Sequence, residues 1–394
     1  LTQISQLNLS GNYKLGITGL FNVIRNNPDI TNLNLGDILI GDLNLLPLID
    51  VQTGQPYNLI ELNLSNTGIS NIGMLTGMSS LQKLDLSDLF QLVGMSNLIE
   101  FDISDNLLTD VNQVYNILAS NPGLKKIGLG GIPIDNLNSL PIFFSQAGGS
   151  YPITSLRLHN TGIRDISELS IFSSLEELDI SGNNVEFLTS LNDKVRLLKL
   201  DLSGNVRLEL AEIYNALFDK SRLIELGLAD LNISNLNAYS LSSFNGTPYP
   251  ITRLNLSNTG LSNLSLIRNL DRLRYLDISN NNLTDLIPLP YLPDLKELYL
   301  GNNKLRYFVP INSSNSLTVL DVSNNSELTD LTSLFSIIDQ NENLRSLNVS
   351  GLNIIDINLL PIFNNTTGQP SRLTRLDVSN TGISNITPVA NLVS

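Results

Sequence analysis

The side chains able to do acid–base, covalent or metal chemistry are few in this sequence. It holds one histidine, His159, and no cysteine in 394 residues. Catalytic pairs and metal cages that need two imidazoles are therefore ruled out. Zero cysteine removes disulfide frameworks, thiolate metal sites and thiol nucleophiles together. No glycine-rich phosphate loop, nucleophile elbow or pocket-forming carboxylate pair occurs. A lone imidazole without a positioned acid or nucleophile is not a catalytic site. The sequence reads as non-enzymatic, with no cofactor and no bound metal.

What it offers instead is recognition chemistry. Arg157 and His159 interrupt a surface otherwise made of Asp, Asn and Ser, and Arg253, Tyr275 and Tyr299, with Glu297, fall on three successive repeated segments. Exposed Tyr and Arg on a rigid surface are the residue types that dominate interface energetics. These six are the expected partner-binding residues, and drift within a repeat is the competing reading of each. A stripe of Asp and Asn beside a stripe of Ser also invites a Ca²⁺ reading. Ca²⁺ takes six or more oxygens, and one flat stripe offers too few from one side. Hydrogen bonding between each Asp and its Ser, flanking a turn, is the plainer expectation.

Composition points to the elements that position these residues. There are 78 Leu and 52 Asn, about a third of the chain. Such an excess implies a repeated unit that needs both at fixed places. The pattern L-x-L-x-x-(N/T/L)-x-(L/I) recurs sixteen times, starting at Leu7, Leu33, Leu62, Leu84, Phe101, Ile127, Leu156, Leu178, Leu200, Leu226, Leu254, Leu276, Leu298, Leu320, Leu347 and Leu376. The intervals run from 22 to 29 residues, with a single one of 17 after Leu84. A period in this range is the signature of a leucine-rich-repeat solenoid. The predicted fold is α/β and strand-rich: a right-handed solenoid of about sixteen coils. One parallel sheet is expected on its concave face, with short helices and 3₁₀ turns on the convex face. Residues 1–394 are expected to form one continuous solenoid of duplicated four- to five-coil blocks, with no separate caps visible.

Alternation along a strand turns the two Leu of L-x-L inward and the residue between them outward. Stacking the strands makes every repeated position a column. Leu9, Leu86, Leu202 and Leu300 are predicted buried, and Asp85, Asp201 and Asp277 exposed. An inward Asn after the strand can satisfy backbone groups of the turn. Asn12, Asn106, Asn183, Asn205, Asn281, Asn303 and Asn325 hold that place, and Thr67, Thr161, Thr259 and Thr381 replace it. The column before the first Leu alternates in sign through Glu61, Lys83, Glu100 and Lys126, then Glu177, Lys199, Glu225 and Arg253. Opposite charges on neighbouring strands fix register.

The longer copies carry recognisable insertions. Segments 111–120, 210–219 and 331–339 show apolar residues at i, i+4 and read as short amphipathic helices, with Asp110 and Gln113 as a capping box. Copies of 28–29 residues carry Gly/Pro/Tyr turns at 53–58, 147–152, 245–250 and 366–372. The 17-residue copy predicts a short return segment and a local irregularity.

The stretches LPDLKELYLGNNKLRYF and ISNNNLTDLIPL resemble the 22-residue repeats of bacterial cell-surface proteins of the internalin type. That resemblance implies a curved right-handed solenoid that binds a host protein with its concave face. This chain departs from the family's pattern in its alternating repeat lengths. It also shows neither the family's helical N-terminal cap nor its immunoglobulin-like module.

Net charge is −14, which argues against partners that are nucleic acids or anionic membranes. No apolar run is long enough to span a bilayer. The leading expectation is an extracellular or cell-surface protein-recognition module, an adhesin or partner binder, of bacterial origin. A second is a structural protein that self-associates head to tail through its solenoid ends, since the repeat pattern runs to both termini. A third is a cytoplasmic repeat scaffold that regulates an enzyme.

Overall fold

The computed structural model describes residues 4–49, 54–69, 75, 78–86, 97–105, 114–115, 118, 121–134, 136–137, 152–234, 241–242, 246–287, 289, 291–308, 316–362 and 371–391. Short strands recur along the chain: β1 (Gln6–Asn8), β2 (Asn32–Asn34), β3 (Glu61–Leu64), β4 (Lys83–Leu86), β5 (Glu100–Asp102), β6 (Lys126–Gly128), β7 (Ser155–Arg157), β8 (Glu177–Asp179), β9 (Lys199–Asp201), β10 (Glu225–Gly227), β11 (Arg253–Asn255), β12 (Tyr275–Asp277), β13 (Glu297–Tyr299), β14 (Val319–Asp321), β15 (Ser346–Asn348) and β16 (Arg375–Asp377). They form a sixteen-stranded parallel sheet in sequence order. Every position expected to open a repeat lies in a strand. The register pairs Leu7 with Leu33, Leu33 with Leu62, and Leu254 with Leu276.

Packing divides the chain into two compact units, Leu1–Arg196 and Leu197–Ser394. In the first, Leu33, Leu62, Leu84, Phe101, Ile127, Leu156 and Leu178 line the core; in the second, Leu200, Leu226, Leu254, Leu276, Leu298, Leu320 and Leu347 do. Leu86, Leu202 and Leu300 are buried as expected. Leu9 is only half-buried, because β1 has a neighbour on one side alone. Asp85, Asp201 and Asp277 are half-buried rather than exposed. Strands standing about 4.8 Å apart shade each outward side chain.

The Asn ladder forms at Asn183, Asn281, Asn303 and Asn325, and Asn205 is buried with its Nδ2 donating to the Leu202 carbonyl of its own coil at 2.9 Å. In the first unit Asn183 donates from Nδ2 to the carbonyls of Leu158 (2.7 Å) and Ile180 (2.9 Å), and its Oδ1 accepts the Thr161 N–H at 2.9 Å. Asn281, Asn303 and Asn325 repeat this in the second unit. Asn12 is exposed, and the bonds it donates stay within its own coil. Asn106 lies outside the described residues. Thr67, Thr161, Thr259 and Thr381 each donate their hydroxyl to the carbonyl three residues back.

A further Asn column accounts for more of the excess. Asn66 and Asn160 in the first unit, and Asn258, Asn280, Asn302 and Asn324 in the second, take φ of 53–57° at the turn after the strand. Asn tolerates that left-handed conformation because its short side chain can bond locally.

Helices α1 (Ile17–Arg25), α2 (Leu210–Leu217) and α3 (Thr332–Gln340) occupy copies of the 26–27-residue class. Of the helix expected at 111–120, Val114, Tyr115 and Leu118 are described, and all three are helical and buried. Asp110 and Gln113 lie outside the described residues, as does the return segment of the 17-residue copy. Two of the Gly/Pro/Tyr turns close on isolated antiparallel bridges, Ile49 with Pro56 and Ser242 with Pro248. The Tyr249 hydroxyl donates to the Leu217 carbonyl at 2.8 Å and accepts the Lys220 N–H at 3.3 Å. It thereby adds a second bond to each of two backbone groups that already pair with one another at the end of α2.

Candidate functional site

Each unit carries a cluster of large side chains that interrupts the Asp/Asn/Ser surface, and the two are built differently. In the regular coils the outward Asp or Asn accepts from the Ser two residues on. Asp277 Oδ1 takes both the N–H (3.0 Å) and the hydroxyl (2.7 Å) of Ser279, and Asn63 Oδ1 does the same with Ser65. The stripe is thus held by its own hydrogen bonds. Among the described residues no group of His, Cys, Asp and Glu is placed to hold a metal ion.

In the first unit the interruption is a charge cluster laid over glycine. Register places Asp102, Gly128 and Arg157 in one column across β5, β6 and β7. A methyl group at Gly128 would lie on the Asp102 carboxylate. The missing side chain lets Arg157 cross β6, and its Nη1 meets Asp102 Oδ2 at 2.6 Å. His159 lies over Gly130 in the same way. Its Nε2 is 3.4 Å from Asp105 and its Nδ1 3.4 Å from Asp179. Nδ1 has no aligned hydrogen bond, so at that length the Asp179 approach is a charge pair only when the ring is protonated.

The electrostatics follow from this crowding. The Asp179 carboxylate against the ring raises the His159 pKa above its usual value; burial opposes the rise and Asp105 adds to it. Burial pushes Asp179 up, but the facing His159 ring and the bonds from Ser181 outweigh it and hold the carboxyl below its usual range. Asp85, on β4, is pushed up to about 6 by burial and by Asp102, against the pull of Lys83 and Arg157. Beside it the expected charge ladder runs from Lys83 through Glu100 to Lys126, at 3.4 and 3.8 Å.

In the second unit the interruption is aromatic. Arg253, Tyr275 and Glu297 share one column on β11, β12 and β13. The Arg253 guanidinium lies over the Tyr275 ring, 4.0 Å from its centroid. Tyr275 packs against Tyr299 with centroids 5.5 Å apart and rings tilted by 48°. The Tyr299 hydroxyl donates to Glu297 Oε2 at 3.1 Å. Burial raises the Tyr275 pKa. Burial and the Glu297 carboxylate push Tyr299 up to about 12.

The structure therefore joins Arg253, Tyr275, Glu297 and Tyr299 into one contiguous stack, and sets Arg157 and His159 side by side in the other unit. Reading the sequence missed the partners of the latter pair: Asp102, Asp105 and Asp179, and the glycines beneath. The signal was present in KIGLGG at 126–131, where Gly stands in both outward columns one coil before the two large side chains.

A family model of the leucine-rich repeat matches residues 272–291. No curated protein matches the chain in sequence. Among solved structures, a leucine-rich-repeat protein of Leptospira interrogans is 21% identical, covering 94% of this chain and 95% of its own, with a TM-score of 0.53. An internalin, InlF of Listeria monocytogenes, is 18% identical over 99% of this chain and 84% of its own, at a TM-score of 0.38. The functional domain of InlJ from the same organism, described as including a cysteine ladder, is 17% identical over 92% and 71%, at 0.46. The chain folds as a leucine-rich-repeat solenoid, with repeats that resemble the internalin type. It has no cysteine with which to build such a ladder.

Proposed function

We propose that this chain is a non-enzymatic protein-recognition module, extracellular or on the bacterial cell surface, that binds a protein partner through the solvent face of its sheet. The carrying observation is the Tyr275–Tyr299 pair, held between Arg253 and Glu297 on three adjacent strands. Rings fixed by neighbours lose little entropy on binding, and Tyr and Arg are the side chains most often found at interface hot spots. The Arg157–His159 cluster is a second contact region on the same reasoning. The extracellular placement is supported by the resemblance of the repeats to bacterial cell-surface proteins.

The test is differential capture. The immobilised wild-type chain is compared with a Tyr275→Ala/Tyr299→Ala variant against the same extracellular or host-cell extract. A protein retained by the wild type and lost from the variant, at an unchanged unfolding midpoint, is the expected result. Equal retention by both rejects the site and leaves the fold untouched.

A further inference from the structure

Within the second unit, the stack already shows what it accepts on one end. A guanidinium covers Tyr275, and the series continues to Tyr299. Among the described residues no cation covers the Tyr299 ring, although the ring is only partly buried. Its column neighbours are Asp277 on β12 and Asp321 on β14, and Glu297 holds its hydroxyl. Tyr299 is thus an aromatic surface between two carboxylates with a third at its rim.

The carboxylates keep acceptor capacity. The Asp277 bonds to Ser279 use Oδ1, and although the carboxylate also meets the Tyr275 hydroxyl, its two oxygens have lone pairs to spare. Glu297 takes the Tyr299 hydroxyl on Oε2 and leaves Oε1 open. Asp321 is more committed, with Oδ1 on Ser323 and Oδ2 on Asn348. The Glu297 bond also fixes the ring, so a ligand need not order it. The exposed Arg274 and Lys296 each stand one residue before their strands, off this column.

The first unit supplies a second internal precedent. There Arg157 places its guanidinium on Asp102 from two strands away in the same outward column. On this face, then, the chain satisfies its own guanidinium groups once by stacking on a ring and once by pairing with a column Asp. The Tyr299 position offers both partners and holds neither an Arg nor a Lys.

We propose that Tyr299, with Asp277 and Glu297, takes an arginine side chain from an extended basic segment of the partner protein. This rests on the reading of the second unit's face as protein-binding. Arginine is favoured over lysine because a planar guanidinium stacks on the ring and offers forked donors to carboxylates at the same time. The net charge of −14 steers a basic segment toward the chain at low salt.

The experiment is calorimetric titration of the full chain with a peptide of four Ser-Arg repeats. A Ser-Lys peptide of equal charge and the neutral oligosaccharide maltoheptaose serve as comparisons. The expected result is tighter binding of the arginine peptide than of the lysine peptide. Tyr299→Leu should weaken it by about tenfold, while Tyr299→Phe, which keeps the ring face, should stay near wild type. Asp277→Asn should also weaken it and flatten its salt dependence. Equal binding of both peptides, unmoved by Tyr299→Leu, would mean that only net charge acts and would overturn the proposal. Maltoheptaose binding that depends on Tyr299, with no peptide binding, would overturn it in favour of a glycan. If capture of a protein still depends on Tyr275 and Tyr299 but the arginine peptide does not bind, the guanidinium inference falls and the protein-binding reading stands.

Discussion

Asn281 is the place to test what holds successive coils together. Its Nδ2 donates to the carbonyls of Leu256, Ile278 and Ser279 at 2.8–3.1 Å, and its Oδ1 accepts the N–H groups of Thr259 and Leu261 at 3.1 and 3.0 Å. Replacing it by Ala does not orphan every partner. The Leu256 carbonyl still receives the Thr259 hydroxyl, and the Ile278 carbonyl still receives Asn303 Nδ2. The two N–H groups lose the side-chain acceptor that serves them. Each buried, unsatisfied backbone donor costs roughly 1–3 kcal/mol, so Asn281→Ala should destabilise by about 2–6 kcal/mol. Asn12→Ala removes bonds at an exposed position and should cost about 1 kcal/mol or less. Solenoids unfold with nearest-neighbour coupling, so the assay pairs urea unfolding with hydrogen exchange at the Thr259 and Leu261 amides. Those amides should lose protection in Asn281→Ala. Refutation would be a loss within about 1 kcal/mol of that for Asn12→Ala, with protection at both amides intact.

The remaining predictions concern titration in the first unit. The single histidine makes the imidazole of His159 directly observable by proton NMR, and its pKa should lie above 6.5; Gly130→Ala, whose methyl would displace the ring, should return it toward that value. A folded pKa above the unfolded one means the His159 contribution to stability is complete below the unfolded value and disappears as pH rises through the folded one. Asp85 has the same sign, because burial and Asp102 raise its carboxyl to about 6 from 3.8. Its contribution is present below about 4 and is lost as pH rises through 6. Asp85→Asn should therefore stabilise the chain near neutrality by about 1 kcal/mol, after discounting for solvent screening, and by nothing measurable near pH 4. A wild-type unfolding midpoint that rises between pH 5.5 and 8, with no gain in the variant, would contradict both sign assignments.

The sequence by itself determined the coil. A repeated L-x-L with strand period two makes every recurring residue a column once strands stack, so register, the buried Leu and the Asn ladder follow from local pattern alone. Asn183 and Asn281 could be assigned their partners without coordinates because those partners lie in the same coil or the one before. The tertiary structure decided what happens across coils. Arg157 reaches an Asp 55 residues away in sequence because an intervening glycine leaves the path open, and His159 meets Asp105 and Asp179 over Gly130 for the same reason. Tyr249, one residue of a turn motif, proves to anchor the end of a helix 32 residues earlier. Such contacts depend on the size and direction of the side chain in between, and the repeat period carries no information about either.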